Sequence, residues 1–72
     1  MWCSENIVKE IRKIYKKGDR VCLAKMDDAM APPVGTMGTV SHIDDTGTIH
    51  IIWDNGCCLG AVFGTDIIEI IR

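Results

Sequence analysis

A chain of 72 residues with a formal net charge of −2 is one small domain, and that charge excludes general binding to a nucleic-acid backbone, which needs a basic face. Domains of this size bury only about 60% of the surface their unfolded chains expose, so disulfides, a metal or self-association commonly reinforce them. With 47% hydrophobic residues but a single Phe, a single Tyr and eleven isoleucines, more than a small barrel interior needs, the composition favours a homo-oligomer.

The opening Met1-Trp2-Cys3-Ser4-Glu5 has no basic stretch followed by an apolar run, so it does not read as a secretory leader. Nor does any segment approach the roughly 20 apolar residues of a membrane span. The expectation is a soluble cytoplasmic protein, with Cys3, Cys22, Cys57 and Cys58 as reduced thiols.

Residues 1–18 carry the first element, an amphipathic helix predicted over 5–17. Ser4 is a suitable N-cap, Lys16 and Lys17 suit the negative end of the macrodipole, and Gly18 is placed to end the helix at C′. Ile7, Val8, Ile11, Ile14 and Tyr15 make one apolar stripe, which either plugs a barrel end or packs on a partner's copy. Lys9, Arg12, Lys13, Lys16, Lys17 and Arg20 gather the basic charge here, as a solvated face or as a contact for an anion.

Residues 19–72 read as β throughout. Arg20–Met26 alternates Val21 and Leu23 on one face with Cys22, Ala24 and Met26 on the other. A long loop follows through Asp27, Asp28, Met30, Pro32, Pro33 and Gly35, where two adjacent prolines rule out a central strand. Thr36–Ile43 is the second strand, with Gly38 marking a bulge or a close backbone approach. The turn at Asp44-Asp45-Thr46-Gly47 leads to Thr48–Trp53, in which Ile49, Ile51 and Trp53 share a face. Asn55-Gly56 predicts a type I′ hairpin turn into a fourth strand, Cys57–Val62. Ile67–Ile71 is the fifth; its apolar groups on both faces call for cover by the helix or by a second protomer. Five short strands, tight turns and one long first loop describe a mainly β fold, a small SH3-like barrel behind an N-terminal α-helix.

Candidate chemistry is sparse. The four cysteines offer no Cys-x2-4-Cys spacing, so neither a metal site nor any other cofactor is expected. Cys57 and Cys58 fall on opposite faces of the fourth predicted strand, and either is open to pairing with Cys22 or to plain packing. Gly35-Thr36-Met37-Gly38-Thr39 lacks the Gly-Lys-Ser/Thr end of a P-loop and leads into a strand. His42 and His50 lie on neighbouring strands as the one plausible acid–base pair, and no serine stands in a Gly-x-Ser-x-Gly context. A barrel this small has little room for a desolvated pocket, so an enzyme is the lesser expectation. The leading one is a binding surface built from Asp27, Asp28, Met30, Pro33 and Asp54, with Arg12 and Lys16 as phosphate receivers.

In order along the chain come Lys17-Gly18-Asp19-Arg20-Val21, Met26-Asp27-Asp28, Pro33-Val34-Gly35-Thr36, Gly38-Thr39-Val40, then Gly47 through Gly56 and Leu59. Over about residues 11–71 this resembles the DUF4314 family of small bacterial and phage proteins without an established general function. It departs at Val62-Phe63-Gly64-Thr65-Asp66, where a Pro-Gly turn is more usual, and at Ala29-Met30, where Pro-aromatic is commoner. The Gly-Thr-Val and Trp-Asp-Asn-Gly half is also similar to the mind-bomb type of SH3-like domain, which binds peptides. The resemblance implies a small accessory protein often carried by phages and mobile elements. Two ligand classes fit such a module: first, a nucleotide-type small molecule sequestered in a pocket between protomers, and as the alternative a peptide or protein surface in the first-loop groove. An enzyme or accessory subunit using His42 or His50 is the third reading.

Overall fold

A computed structural model describes residues 5–71. One helix, α1 (Glu5–Ile14), precedes five strands: β1 (Arg20–Lys25), β2 (Met37–Ile43), β3 (Thr48–Trp53), β4 (Ala61–Val62) and β5 (Ile67–Ile71). They form one antiparallel sheet in the order β4-β3-β2-β1-β5. That is the expected mainly β fold with an N-terminal helix, and the strand order is that of an SH3-like barrel: a four-strand meander whose fifth strand returns beside the first. No helix among the described residues is long and apolar enough to cross a membrane.

The alternation read in the sequence places the core. Val21 and Leu23 of β1, Val40 of β2, and Ile49, Ile51 and Trp53 of β3 are all buried, with Ala61 and Ile68 closing the two ends of the sheet. Trp53 fills the centre, and its indole Nε1 donates to the Leu59 carbonyl at 2.9 Å, so the polar end of the largest core side chain is paired. Ile11 of α1 belongs to the same cluster and is fully buried. The helix therefore docks on its own sheet. Its buried stripe is narrower than expected, because Val8 and Ile11 go inside while Ile7 and Ile14 stay about half exposed.

Three local expectations are corrected. The helix ends at Ile14, not at residue 17. The Asp19 carboxylate accepts the Lys16 amide at 3.0 Å, and Gly18 (φ 93°) serves a separate Lys16–Asp19 turn instead of the helix cap. Ser4 lies outside the described residues. The Asn55-Gly56 turn is not type I′, since no residue other than glycine among those described has positive φ. The Gly56 amide returns to the Trp53 carbonyl and the Trp53 amide to the Cys57 carbonyl, with Gly56 at φ 91°: a type I turn closed by a glycine bulge. The third correction is β4, which keeps only Ala61–Val62 of the predicted Cys57–Val62. The Leu59 carbonyl turns to the Trp53 indole, which takes the preceding residues off the ladder. Cys57 and Cys58 thus sit in a loop, and Cys22, Cys57 and Cys58 are free thiols.

Gly38 marks a close approach and not a bulge. A Cβ there would lie 2.6 Å from Ile51 Cγ2 and 2.9 Å from Trp53 Cε3. The bulges fall instead between Leu23 and Lys25 in β1 and between Val40 and His42 in β2, leaving Ala24 and Ser41 as the unpaired residues.

Candidate functional site

The first loop, between β1 and β2, is long but tied down. Asp28 forms an Asx turn, its Oδ1 accepting the Met30 amide at 2.8 Å while its carbonyl accepts the Ala31 amide at 3.0 Å. Pro32 is buried and anchors the middle, whereas Pro33 faces out. A second turn follows over Pro33–Thr36, with Gly35 at φ 93° and the Thr36 amide and hydroxyl both donating to the Pro33 carbonyl. The Gly35 amide then bonds the Leu23 carbonyl at 2.8 Å, and the Leu23 amide bonds Thr36, which fastens the loop base to β1. Across from it, the Cys57 thiol lies 4.0 Å from the Met30 carbonyl. These ties hold Met30 and Val34 at 75% and 71% exposure, the highest among the large exposed hydrophobics described, beside exposed Asp27 and Asp28. Their side chains meet water on a backbone that is already ordered.

The structure keeps four of the sequence-predicted site residues together in this loop: Asp27, Asp28, Met30 and Pro33. Asp54 is committed elsewhere. Its two oxygens accept a bidentate pair from Arg20 at 2.9 and 2.6 Å, and Arg20 also donates to Thr39 Oγ1 at 2.9 Å. The guanidinium holds the Asp54 carboxyl below its usual range, and the hydrogen-bonded carboxylate in turn raises Arg20. This fork staples β1 to the turn after β3 across the outer face of the sheet. Arg20 was missed as a partner because nothing in the sequence links positions so far apart.

Arg12 and Lys16 line two different clefts. Arg12 donates to Asp45 and to the Ile43 carbonyl, both at 3.2 Å, fastening the helix to the β2–β3 turn. Beside it lies a cleft of about 340 Å³ lined by Val8, Lys9, Arg12 and Asp45. Lys16 borders a cleft of about 330 Å³ between the end of α1 and the end of β5, with Lys13, Ile14, Asp19, Ile70 and Ile71.

His42 and His50 do meet. The β2 bulge makes them direct cross-strand partners, with parallel rings whose centroids are 4.3 Å apart. His50 Nε2 lies 2.8 Å from Asp44 Oδ2, and Ser41 Oγ lies 3.2 Å from His42 Nδ1. Asp44 also accepts the Thr46 hydroxyl and the Thr46 and Thr48 amides. The Thr46 hydroxyl foremost, then His50, hold its carboxyl far below the usual carboxylate range. The order Ser41, His42, His50, Asp44 has the parts of a nucleophile–base–acid relay, but the two rings stack face to face and do not share a hydrogen bond. A proton cannot pass from Ser41 to the His50–Asp44 pair along that line. What the group does build is a densely hydrogen-bonded hairpin end. Among the described residues no cluster of three or more His, Cys, Asp or Glu side chains is arranged to hold a metal ion.

Residues 4–71 of this chain match the family described as a domain of unknown function, DUF4314. Neither the curated proteins nor the solved structures contain a match.

Proposed function

The chain belongs to the DUF4314 family, and from that premise we propose that it is a non-enzymatic binding module whose first loop takes a peptide or protein segment carrying apolar and basic side chains. The observation that carries this reading is the presentation of Met30 and Val34 on a loop already fixed by its own hydrogen bonds. Ordering a loop on binding costs affinity, and a loop ordered beforehand avoids that cost. Asp27 and Asp28 are exposed in the same loop just before Met30, so a ligand combining apolar anchors with Lys or Arg meets both kinds of contact. The nucleotide reading is weaker within one chain. Arg12 is engaged by Asp45, and it lines a different cleft from Lys16, so the two helix cations do not converge on one phosphate.

Selecting peptides from a random display library against the protein, then mapping the best by NMR titration, tests the proposal. Shifts centred on residues 27–36 are expected. Met30→Asp and Val34→Asp should each weaken binding about tenfold or more while leaving the melting temperature unchanged. Shifts confined to the helix cations would overturn it, as would a nucleotide panel in which one member raises the melting temperature and no peptide binds.

A further inference from the structure

The sheet has one long open edge. β5 pairs with β1 along one side only, and along the other the row Ile67-Ile68-Glu69-Ile70-Ile71 meets no strand among the described residues. Helix α1 makes its main sheet contact with β2, and a cleft lies where its C-terminal end nears Ile70 and Ile71. Ile67, Ile71 and, on the helix, Ile14 stand 52%, 40% and 43% exposed. An open, apolar edge is a template for another strand.

We infer that this edge pairs with β5 of a second copy of the same chain, antiparallel about a two-fold axis at Ile70. Charge selects both the partner and the register. A two-fold centred on Glu69 would set Glu69 directly against its own copy, and like charges opposite each other across strands repel. Moving the axis one residue to Ile70 sets each Glu69 opposite the other copy's Ile71. Ile71 lies on the cleft whose walls carry Lys13 and Lys16, so each Glu69 arrives at the two lysines of the other copy. Asp19 also lines that cleft, but its carboxylate is engaged by the Lys16 amide. The axis at Ile68 would also separate the glutamates, yet it carries them away from the lysines. On the opposite face of the joined strands Ile70 meets its own copy, an apolar contact next to Ile14. The joined ladder runs over Glu69–Ile71 of each copy, and through it the two five-stranded sheets become one continuous sheet.

The test uses the full chain in size-exclusion chromatography with light scattering over a concentration series, with circular dichroism and melting curves confirming the fold of each variant. The unaltered protein is expected to run as a dimer. Glu69→Lys alone, and the double variant Lys13→Glu/Lys16→Glu alone, should each raise the dimer dissociation constant about tenfold or more, because each sets like charges together. Mixing the two variants should restore the dimer, since every glutamate–lysine contact is then again between opposite charges. A protein that stays monomeric throughout overturns the inference. So do folded variants that dimerise as before, or a mixture of the two that fails to associate.

Discussion

At the scale of single residues, the side chains with most effect are those that share space or charge tightly. Gly38 faces Trp53 and Ile51 with no room for a methyl group, so Gly38→Ala should destabilise the fold by about 1–3 kcal/mol through overpacking, read as a lower midpoint in urea unfolding. Asp44 gives a pH prediction. Its folded carboxyl titrates below the unfolded value of about 3.9, so the stability it contributes is fully present above that value. As the pH falls below about 4, the unfolded chain takes up the proton first and that contribution drains away. Asp44→Asn should therefore flatten the acid side of the stability–pH curve, measured by urea midpoints from neutral pH downward. The turn at Asp44 and the loop at Asp28 were legible in the sequence, while the backbone amides that their carboxylates accept, Thr46 and Met30, are a finding of the structure. The ring stack on His50 was not legible, because it depends on a bulge that the pattern of β2 does not announce.

At the scale of elements, period carries the information and termini lose it. β1 and β3 were readable because apolar and polar residues alternate through them, and β5 as a short apolar run after a turn, its burial alternating only in the structure. β4 was overextended because Cys57-Cys58-Leu59 looks like a strand in isolation, while the Trp53 indole claims the Leu59 carbonyl from across the fold. The helix shows the same limit: Asp19, beyond its end, captures the amide of Lys16 and stops it early. The helix's place in the core gives the third prediction. Ile11 is fully buried among sheet residues, so Ile11→Ala should cost about 2–5 kcal/mol, a large part of the total for a domain of this size. Amide exchange in β2 and β3 should speed up along with that of the helix, since the two share one core. Exchange that changes only in residues 5–14 would mean that the helix is an independent appendage.

At the scale of the whole molecule, the candidate site residues sit at the margins of a well-specified scaffold. The sequence brought Asp27, Asp28, Met30 and Pro33 to one loop, and the structure keeps them there on a base fastened to Leu23. It also nominated Asp54, Arg12 and Lys16, each of which the fold disperses, because composition shows that cations share a helix but not which cleft each one borders. A fourth prediction follows from Arg20 and Asp54, which join opposite parts of the sheet through an exposed fork. Swapping them, Arg20→Asp with Asp54→Arg, should recover part of the melting temperature that either change alone removes, as measured by a double-mutant cycle.

The bulges at Ala24 and Ser41 bear on how chains of this kind can vary in length. Each inserts one small residue that has no cross-strand partner, while the pairs on either side keep their faces: Leu23 with Ile68 and Lys25 with Ile67, Val40 with Ile51 and His42 with His50. A deletion of one residue within a strand ordinarily turns every following side chain to the wrong side of the sheet. Here the loss of Ala24 or Ser41 would leave a regular inside–outside alternation unbroken from end to end, with Ile43 still facing Ile49. The sheet would lose curvature but not register. These two positions are where the strands can shorten by one residue with the core's membership intact, so natural variation in the length of β1 and β2 is expected to concentrate there.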